Sequence, residues 1–305
     1  MTEAALSSPH RVECAGPHRA TLGESPLWHA GEQCLYYVDI AERQVLRLDP
    51  ASGALRQWQL DSQPGCIALL EGGGLLVAQR DGLWRLDPAS GAHRQVAPAP
   101  YDSARQRFND GKPDAQGRFW VGTIDDARAP EAALYRFSAG GFELMGRGIV
   151  TSNGLAWSPD QRRLYWSDTK AHEIYRLDFD AASGTLGERR LFARFAPRAP
   201  EQALDDYGGR PDGAAVDVEG CYWVAMFEGQ RLLRLSPAGE PLCELRLPVR
   251  CPTMPTFGDA DLRTLYITTA REKRPAEELA AQPWAGCVLK VRVEVPGLPA
   301  AMARL

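Results

Sequence analysis

The chain has 305 residues, of which 44% are hydrophobic and 24% charged, and its formal net charge is -4. These values are typical of a globular protein and argue against a nucleic-acid-binding surface, which would need clustered Lys and Arg. No run of about 18 apolar residues is present, which excludes a transmembrane helix. The N-terminus also lacks the apolar stretch of a signal peptide. We therefore expect a cytoplasmic protein with no nucleic-acid or membrane partner.

A short aromatic or aliphatic strand motif recurs six times along the chain. Its copies begin, in chain order, at Leu35, Leu75, Phe119, Leu164, Tyr222 and Leu265. Each copy is followed by a second segment in which apolar residues flank a basic one, as in residues 46–49 and 174–177. This alternation is typical of a half-exposed strand, and turn residues separate the segments.

Six repeats of about 45 residues, each with about four strands, predict an all-β, six-bladed β-propeller with four-stranded blades. A β-sandwich is the alternative, but six strand pairs in register disfavour it. Because each blade buries its faces against its neighbours, residues 1–305 are expected to form a single domain. The last blade lacks a fourth strand, and residues 10–14 are predicted to supply it and close the ring. Residues 185–209 are expected to form a surface loop, and residues 272–283 a short helix or loop.

Polar residues lie at one offset in the repeat, 10 or 11 residues before the aromatic strand, where a propeller places the start of its innermost strand. These positions hold Glu24, Pro64 or Gly65, Asn109, Asn153, Asp212 and Pro255. Because equivalent positions of all blades face the central channel, the two carboxylates and two amides of this set should converge. Oxygen ligands of this kind suit a hard divalent cation such as Ca²⁺, Mg²⁺ or Mn²⁺. Taken singly, the Asn-Gly and Asp-Gly pairs would be explained by turn formation alone.

These motifs resemble those of the senescence marker protein/regucalcin/gluconolactonase family of sugar lactonases. The matching stretches include residues 23–28 (GESPLW), 107–114 (RFNDGKPD), 152–160 (SNGLAWSPD) and 210–217 (RPDGAAVD). The resemblance covers residues from about 12 to 293. It implies a six-bladed propeller with one catalytic divalent metal in the channel, for which Ca, Zn, Mg, Mn and Fe(II) all remain candidates.

The resemblance also implies a role for each matching residue. The family's metal ligands correspond to Glu24, Asn153 and Asp212, and Asp212 also corresponds to the proposed general base. Its sugar-contacting residues correspond to Arg107 and Asn109. An acidic substrate contact follows the Gly-Thr of the third blade, where we assign Asp126, with Asp125 as the alternative.

The predicted function is metal-dependent hydrolysis of a sugar lactone, from aldonolactone to aldonic acid, with that lactone as the small-molecule partner. One alternative is a propeller hydrolase that acts on a non-sugar lactone, an organophosphate or an aryl ester. Another is a non-catalytic propeller that binds calcium or other proteins. A non-catalytic propeller would not need Glu24, Asn153 and Asp212 at one depth of the channel. The sequence leaves open which metal is native, which lactone is the substrate and which oligomer forms.

Overall fold

Alternating apolar residues and frequent turns divide the chain into short strands, which this computed structural model describes over residues 11–305. The strands form six sheets of at least four strands each, whose consecutive strands pair antiparallel, and these sheets are the six predicted blades. An N-terminal strand, β1 (Glu13–Cys14), precedes them. No helix among residues 11–305 has the length and apolar character needed to cross a membrane.

The first three blades follow one another along the chain. Blade one contains β2 (Gly23–His29), β3 (Cys34–Asp39), β4 (Gln44–Leu48) and β5 (Leu55–Gln59). Blade two contains β6 (Pro64–Leu70), β7 (Leu75–Gln79), β8 (Gly82–Leu86) and β9 (His93–Pro98). Blade three contains β10 (Gln106–Pro113), β11 (Phe119–Asp125), β12 (Ala132–Ser138) and β13 (Gly141–Ile149).

The last three blades complete the ring. Blade four contains β14 (Ser152–Trp157), β15 (Arg163–Asp168), β16 (Glu173–Asp180), β17 (Thr185–Leu186) and β18 (Arg190–Arg194). Blade five contains β19 (Arg210–Val216), β20 (Tyr222–Phe227), β21 (Arg231–Leu235) and β22 (Pro241–Arg246). Blade six contains β23 (Cys251–Gly258), β24 (Thr264–Ala270) and β25 (Leu289–Arg292), with the helix α1 (Ala276–Ala281) before β25. A C-terminal strand, β26 (Met302–Ala303), follows.

The N-terminal strand closes the ring as predicted. Strand β1 pairs antiparallel with β25, so that Glu13 lies opposite Lys290 and Cys14 opposite Leu289. It thereby becomes the outer strand of blade six. His10, the first residue of the predicted closing segment, lies outside the described residues.

The prediction of a surface loop over residues 185–209 is wrong for its first part. Strand β18 pairs with β16 and forms the outer edge of blade four. The reason is Phe192, which is buried and packs its ring against Tyr165 at a centroid distance of 4.9 Å. Only the remainder, which includes a short 3₁₀ turn at Leu204–Asp206, connects the blades as a loop. The helix α1 confirms the expected short helix in residues 272–283.

Buried aspartates fix the turn before the aromatic strand in two blades. In blade five, Asp217 accepts hydrogen bonds from Trp223 Nε1 at 2.9 Å and Arg234 Nε at 2.8 Å. In blade three, Asp114 accepts one from Trp120 Nε1 at 2.9 Å. Both aspartates are at most 1% exposed. The repeated tryptophans therefore anchor blade packing, because the buried indole N–H finds its partner within the blade.

All six innermost strands carry a register shift near their start. The shifts lie between Glu24 and Leu27, Pro64 and Cys66, Phe108 and Gly111, Asn153 and Ala156, Pro211 and Ala214, and Pro252 and Met254. A β-bulge leaves residues unpaired and redirects their side chains. In blade six, the residue inside the bulge is Thr253. The prediction that Pro255 occupies the position equivalent to Asn109 and Asp212 is therefore wrong, because Pro255 pairs regularly with Ile267.

The C-terminal tail lies at the other end of the innermost strands. Gly297 forms a β-bridge with Asp217, and Leu298 lines a cavity beside the ends of β10, β14 and β19. Strand β26 then pairs in parallel with β6 of blade two. Arg304 Nε lies 2.7 Å from Glu71 Oε1. The tail thus connects blades five and two across the ring.

Candidate active site

The starts of four innermost strands line a cavity of about 210 Å³ at one end of the channel. Five of the residues predicted from the sequence line it together: Glu24, Arg107, Asn109, Asn153 and Asp212. They come from blades one, three, four and five. Their convergence follows from the repeat, because Glu24, Asn109, Asn153 and Asp212 lie at the bulges of their innermost strands and Arg107 lies two residues before Asn109.

A chain of hydrogen bonds orients the amides. Arg107 Nη1 donates to Asn109 Oδ1 at 2.8 Å, and Asn109 Nδ2 donates to Asn153 Oδ1 at 2.9 Å. Asn153 Nδ2 in turn donates to Thr169 Oγ1 at 2.8 Å. Since an amide oxygen has two lone pairs, Asn153 Oδ1 retains one for a further ligand. The orientation of the Asn153 amide is therefore fixed by blade three on one side and by Thr169 on the other.

The two carboxylates of the site have few partners. Ser25 N donates to Glu24 Oε2 at 3.3 Å, and among residues 11–305 no side chain donates a hydrogen bond to Glu24 or Asp212. Burial, and after it the negative charges of Asp212 and Asp110, raises the pKa of Glu24 well above its usual value. Burial also raises the pKa of Asp212 to about 8, with a further contribution from Asp110 that Arg210 opposes. Acids in this state ionise readily only when a cation joins them.

This donor set fits a hard divalent cation. Two carboxyl groups without a side-chain hydrogen-bond donor among the described residues and one oriented amide oxygen are the ligand types that such cations take. In the described part of the chain, no three His, Cys, Asp or Glu side chains form a metal-binding group, so the site depends on the amide of Asn153. Glu24, Asn153 and Asp212 are the residues that would hold the ion.

Asp110 was not assigned by the sequence analysis. It shares the bulge of β10 with Asn109 and is 6% exposed. Its Oδ2 accepts a hydrogen bond from Leu155 N at 2.8 Å, whereas its buried Oδ1 has no partner among the described residues. Burial raises its pKa. The repeat offset singles out one residue per blade, whereas the bulge of β10 turns both Asn109 and Asp110 out of the regular pairing, which is why Asp110 was missed.

Basic residues that were not predicted also line the cavity. Arg128, Lys170 and Arg210 lie around the predicted set. Arg210 Nη1 lies 2.7 Å from Glu228 Oε2. Burial, followed by repulsion from Arg128 and Arg80, lowers the pKa of Arg107 to about 10. Arg210, two residues before Asp212 on β19, could have been found from the repeat, but Arg128 lies in a loop without a repeated pattern.

The acidic candidates for substrate contact do not line the cavity. Asp126 forms a two-pronged ion pair with Arg80, with both N–O distances at 3.0 Å. Asp125 is buried, and its Oδ1 accepts a hydrogen bond from Ala127 N at 2.9 Å, which holds the turn after β11. A substrate contact by Asp126 or Asp125 stays a prediction. The same loop brings Arg128 to the cavity instead.

Similarity to known proteins extends over most of the chain. Residues 22–271 match the SMP-30/gluconolactonase/LRE-like region. The chain is 45% identical over 288 residues to 6-deoxy-6-sulfogluconolactonase of Pseudomonas putida, covering 94% of this chain and 96% of that protein. It is 33% identical to regucalcin of Gallus gallus, covering 95% of this chain and 97% of the relative.

A solved structure shows the same architecture. The chain superimposes with a TM-score of 0.89 on a calcium-binding protein, regucalcin, from Agrobacterium tumefaciens, at 26% identity and covering 97% of this chain and 98% of that one. The six blades, the convergent channel residues and the match over residues 22–271 lead to one conclusion. The chain belongs to the SMP-30/gluconolactonase/regucalcin family of sugar lactonases.

Proposed function

We propose that this protein hydrolyses a sugar lactone to its aldonic acid with the help of one divalent metal ion held by Glu24, Asn153 and Asp212. The observation that carries the proposal is the meeting of two poorly neutralised carboxylates with an amide whose orientation is fixed. Carboxylates in such a place are costly unless a cation compensates them. A scaffold protein would have no need for this arrangement.

The cavity residues suit hydrolysis of a lactone. When bound, the metal supplies Lewis-acid stabilisation of negative charge on the carbonyl oxygen and lowers the pKa of a water molecule. Arg107 and Asn109, which are hydrogen-bonded to each other, bind sugar oxygens and orient the ring. A carboxylate oxygen of Asp212 accepts the proton from the attacking water as general base. The water oxygen bonds to the carbonyl carbon, the bond from that carbon to the ring oxygen breaks, and the ring oxygen takes up a proton.

The substrate that we propose is a gluconolactone with a negatively charged group at C6. The relative from Pseudomonas putida is named a 6-deoxy-6-sulfogluconolactonase, and its similarity covers 94% of this chain. The cavity of this chain also has four basic side chains, from Arg107, Arg128, Lys170 and Arg210. Unsubstituted hexono- and pentonolactones are the second candidate substrates. The proposed metal ligands and sugar-binding residues would serve a lactone equally well without a charged group at C6.

The test begins with metal removal. The protein is stripped with a chelator, single divalent metals are returned, and acid release is followed with a pH indicator. The lactones are 6-deoxy-6-sulfogluconolactone, glucono-1,5-lactone, a pentonolactone and a non-sugar lactone. We expect metal-dependent acceleration on the sugar lactones and its loss in Glu24→Gln and Asp212→Asn.

Asp261→Asn serves as the matched control, because Asp261 is an exposed acid of blade six that is paired with Arg292. It should retain full activity. A protein that binds Ca²⁺ but accelerates no lactone above its spontaneous rate would refute the proposal and favour a calcium-binding propeller. Acceleration on the non-sugar lactone alone would favour the broader esterase-type hydrolase.

A further inference from the structure

Two basic side chains of the cavity have no acidic partner. Arg128 and Lys170 both line the cavity. Within residues 11–305, neither side chain has a carboxylate within 4.0 Å or an intramolecular hydrogen bond, whereas Arg210 pairs with Glu228 at 2.7 Å. Their charges are therefore available to a ligand in the cavity.

The loops that carry these two residues are held by buried aspartates at the same place in successive blades. Asp125, at the end of β11, accepts hydrogen bonds through its side chain from Ala127 N and through its carbonyl from Arg128 N, both at 2.9 Å. Asp168, at the end of β15, accepts hydrogen bonds from Val150 N at 2.9 Å and from Lys170 N at 3.1 Å. Both aspartates are nearly completely buried. The backbone at each basic residue is thus positioned before a ligand arrives, which lowers the entropic cost of binding.

Arg128 also lies near a second cation of the cavity. Its positive charge lies close enough to Arg107 to oppose that residue's ionisation. An anion bound beside these two guanidinium groups would offset their repulsion.

We infer that Arg128 and Lys170 form a subsite that binds an anionic substituent of the lactone and so determine substrate specificity. This inference rests on the proposed function. The ligand chemistry is a tetrahedral or planar oxyanion, such as a sulfonate, a phosphate or a carboxylate, attached to the sugar away from the lactone carbonyl. Arg donates in a fork geometry that matches such oxyanions, and Lys adds a flexible point charge. Neither residue belongs to the metal-binding set.

The kinetic test compares Arg128→Gln, Lys170→Gln and the double variant with the wild type at saturating metal. The substrates are 6-deoxy-6-sulfogluconolactone, 6-phosphogluconolactone and glucono-1,5-lactone. Each single variant should lower kcat/KM for the sulfonated lactone about 10-fold or more, mainly through KM, since this is what loss of a charge-assisted hydrogen bond costs. The value for glucono-1,5-lactone should change less than about 3-fold. The phosphorylated lactone shows whether the subsite distinguishes the two anions.

The matched control is Arg271→Gln. Arg271 is an exposed cation that directly precedes the cavity residue Glu272, but its own side chain does not line the cavity. If it lowers kcat/KM for the sulfonated lactone as much as Arg128→Gln does, a general electrostatic field rather than a subsite attracts the substrate, and the inference is overturned. Circular dichroism and thermal midpoints check that each variant is folded.

A binding measurement provides a readout without turnover. Calorimetric titration with the product 6-deoxy-6-sulfogluconate should show tighter binding than gluconate to the wild type, and the double variant should lose that difference. If the wild type hydrolyses glucono-1,5-lactone and the sulfonated lactone equally well, the inference fails while the proposed function stands. If the metal-loaded protein hydrolyses no lactone, the proposed function itself fails.

Discussion

Thr169→Val should weaken metal binding without removing a proposed ligand. The Thr169 hydroxyl accepts the hydrogen bond from Asn153 Nδ2 at 2.8 Å, and both residues are buried. Valine keeps the shape of the side chain but leaves this amide N–H without an acceptor. A buried donor without a partner costs about 1–3 kcal/mol. The amide can recover that energy only by turning away from the orientation that presents Asn153 Oδ1, so the metal Kd should rise about 5- to 100-fold.

The assay is a competition titration of the metal against a chromophoric chelator, followed by lactone hydrolysis at increasing metal concentration. At saturating metal, kcat should recover to within about 3-fold of the wild type, since Thr169 acts through Asn153. Thr264→Val is the matched control: Thr264 is a buried threonine with its own side-chain partner, Asp259, in blade six. A metal Kd for Thr169→Val within about 2-fold of the wild-type value would refute the positioning role, given the size of such effects.

Three further changes test the fold and the charges of the channel. Gly154→Ala should destabilise the protein by about 2–4 kcal/mol in urea unfolding, because Gly154 has a φ of 62° and a Cβ there would collide with the hydroxyl of Tyr222. Asp217→Ala should cost about 3–5 kcal/mol in the same assay, because it leaves the indole N–H of Trp223 and a largely buried arginine without their acceptor. In chelator, the wild type should lose stability relative to Asp212→Asn as the pH rises from 3.8 towards about 8, because burial raises the pKa of Asp212 from 3.8 to about 8. Over this range Asp212 ionises in the unfolded chain but stays protonated in the folded protein, so its stabilising contribution is complete below the lower value and lost above the upper one.

A specific result would contradict each of these three predictions. Gly140→Ala is the control for Gly154→Ala, since a Cβ at Gly140 meets nothing within 4 Å, and equal effects of the two would contradict the steric argument. An unchanged free energy of unfolding in urea for Asp217→Ala would show that the buried hydrogen bonds of Asp217 do not stabilise blade five. For the pH prediction, metal-free wild type that gains stability relative to Asp212→Asn as the pH rises would contradict the raised pKa. Added metal should reverse this trend, because the bound cation needs an ionised Asp212 and competes with protons for it.

The parts of the site that follow the repeat were predictable from the sequence. Glu24, Asn109, Asn153 and Asp212 share one offset from the aromatic strand, and a propeller brings equal offsets to one axis. The bulges that turn these side chains into the channel left no sequence signal of their own. That is why the sixth-blade position was misplaced by two residues, at Pro255 instead of Thr253.

Residues outside the repeat could not be predicted in the same way. Arg128 and Lys170 reach the cavity from loops between strands, and the direction of a loop depends on tertiary contacts such as those of the buried Asp125 and Asp168. Strand β18 was missed for a similar reason, because only the packing of Phe192 distinguishes it from a polar loop. The periodic pattern of the sequence determines the ring of six blades, whereas individual buried side chains determine where the connecting loops lie.

The way the two chain ends join the ring has a consequence for biosynthesis. Strand β1 pairs with β25, and Arg304 reaches Glu71 across 233 residues of sequence. During translation, the first blades therefore leave the ribosome with their closing partners not yet made. Contacts of such long range form slowly, and exposed strand edges in incomplete blades can pair with other chains. Chaperone protection during synthesis should thus matter more for this protein than its size alone would indicate.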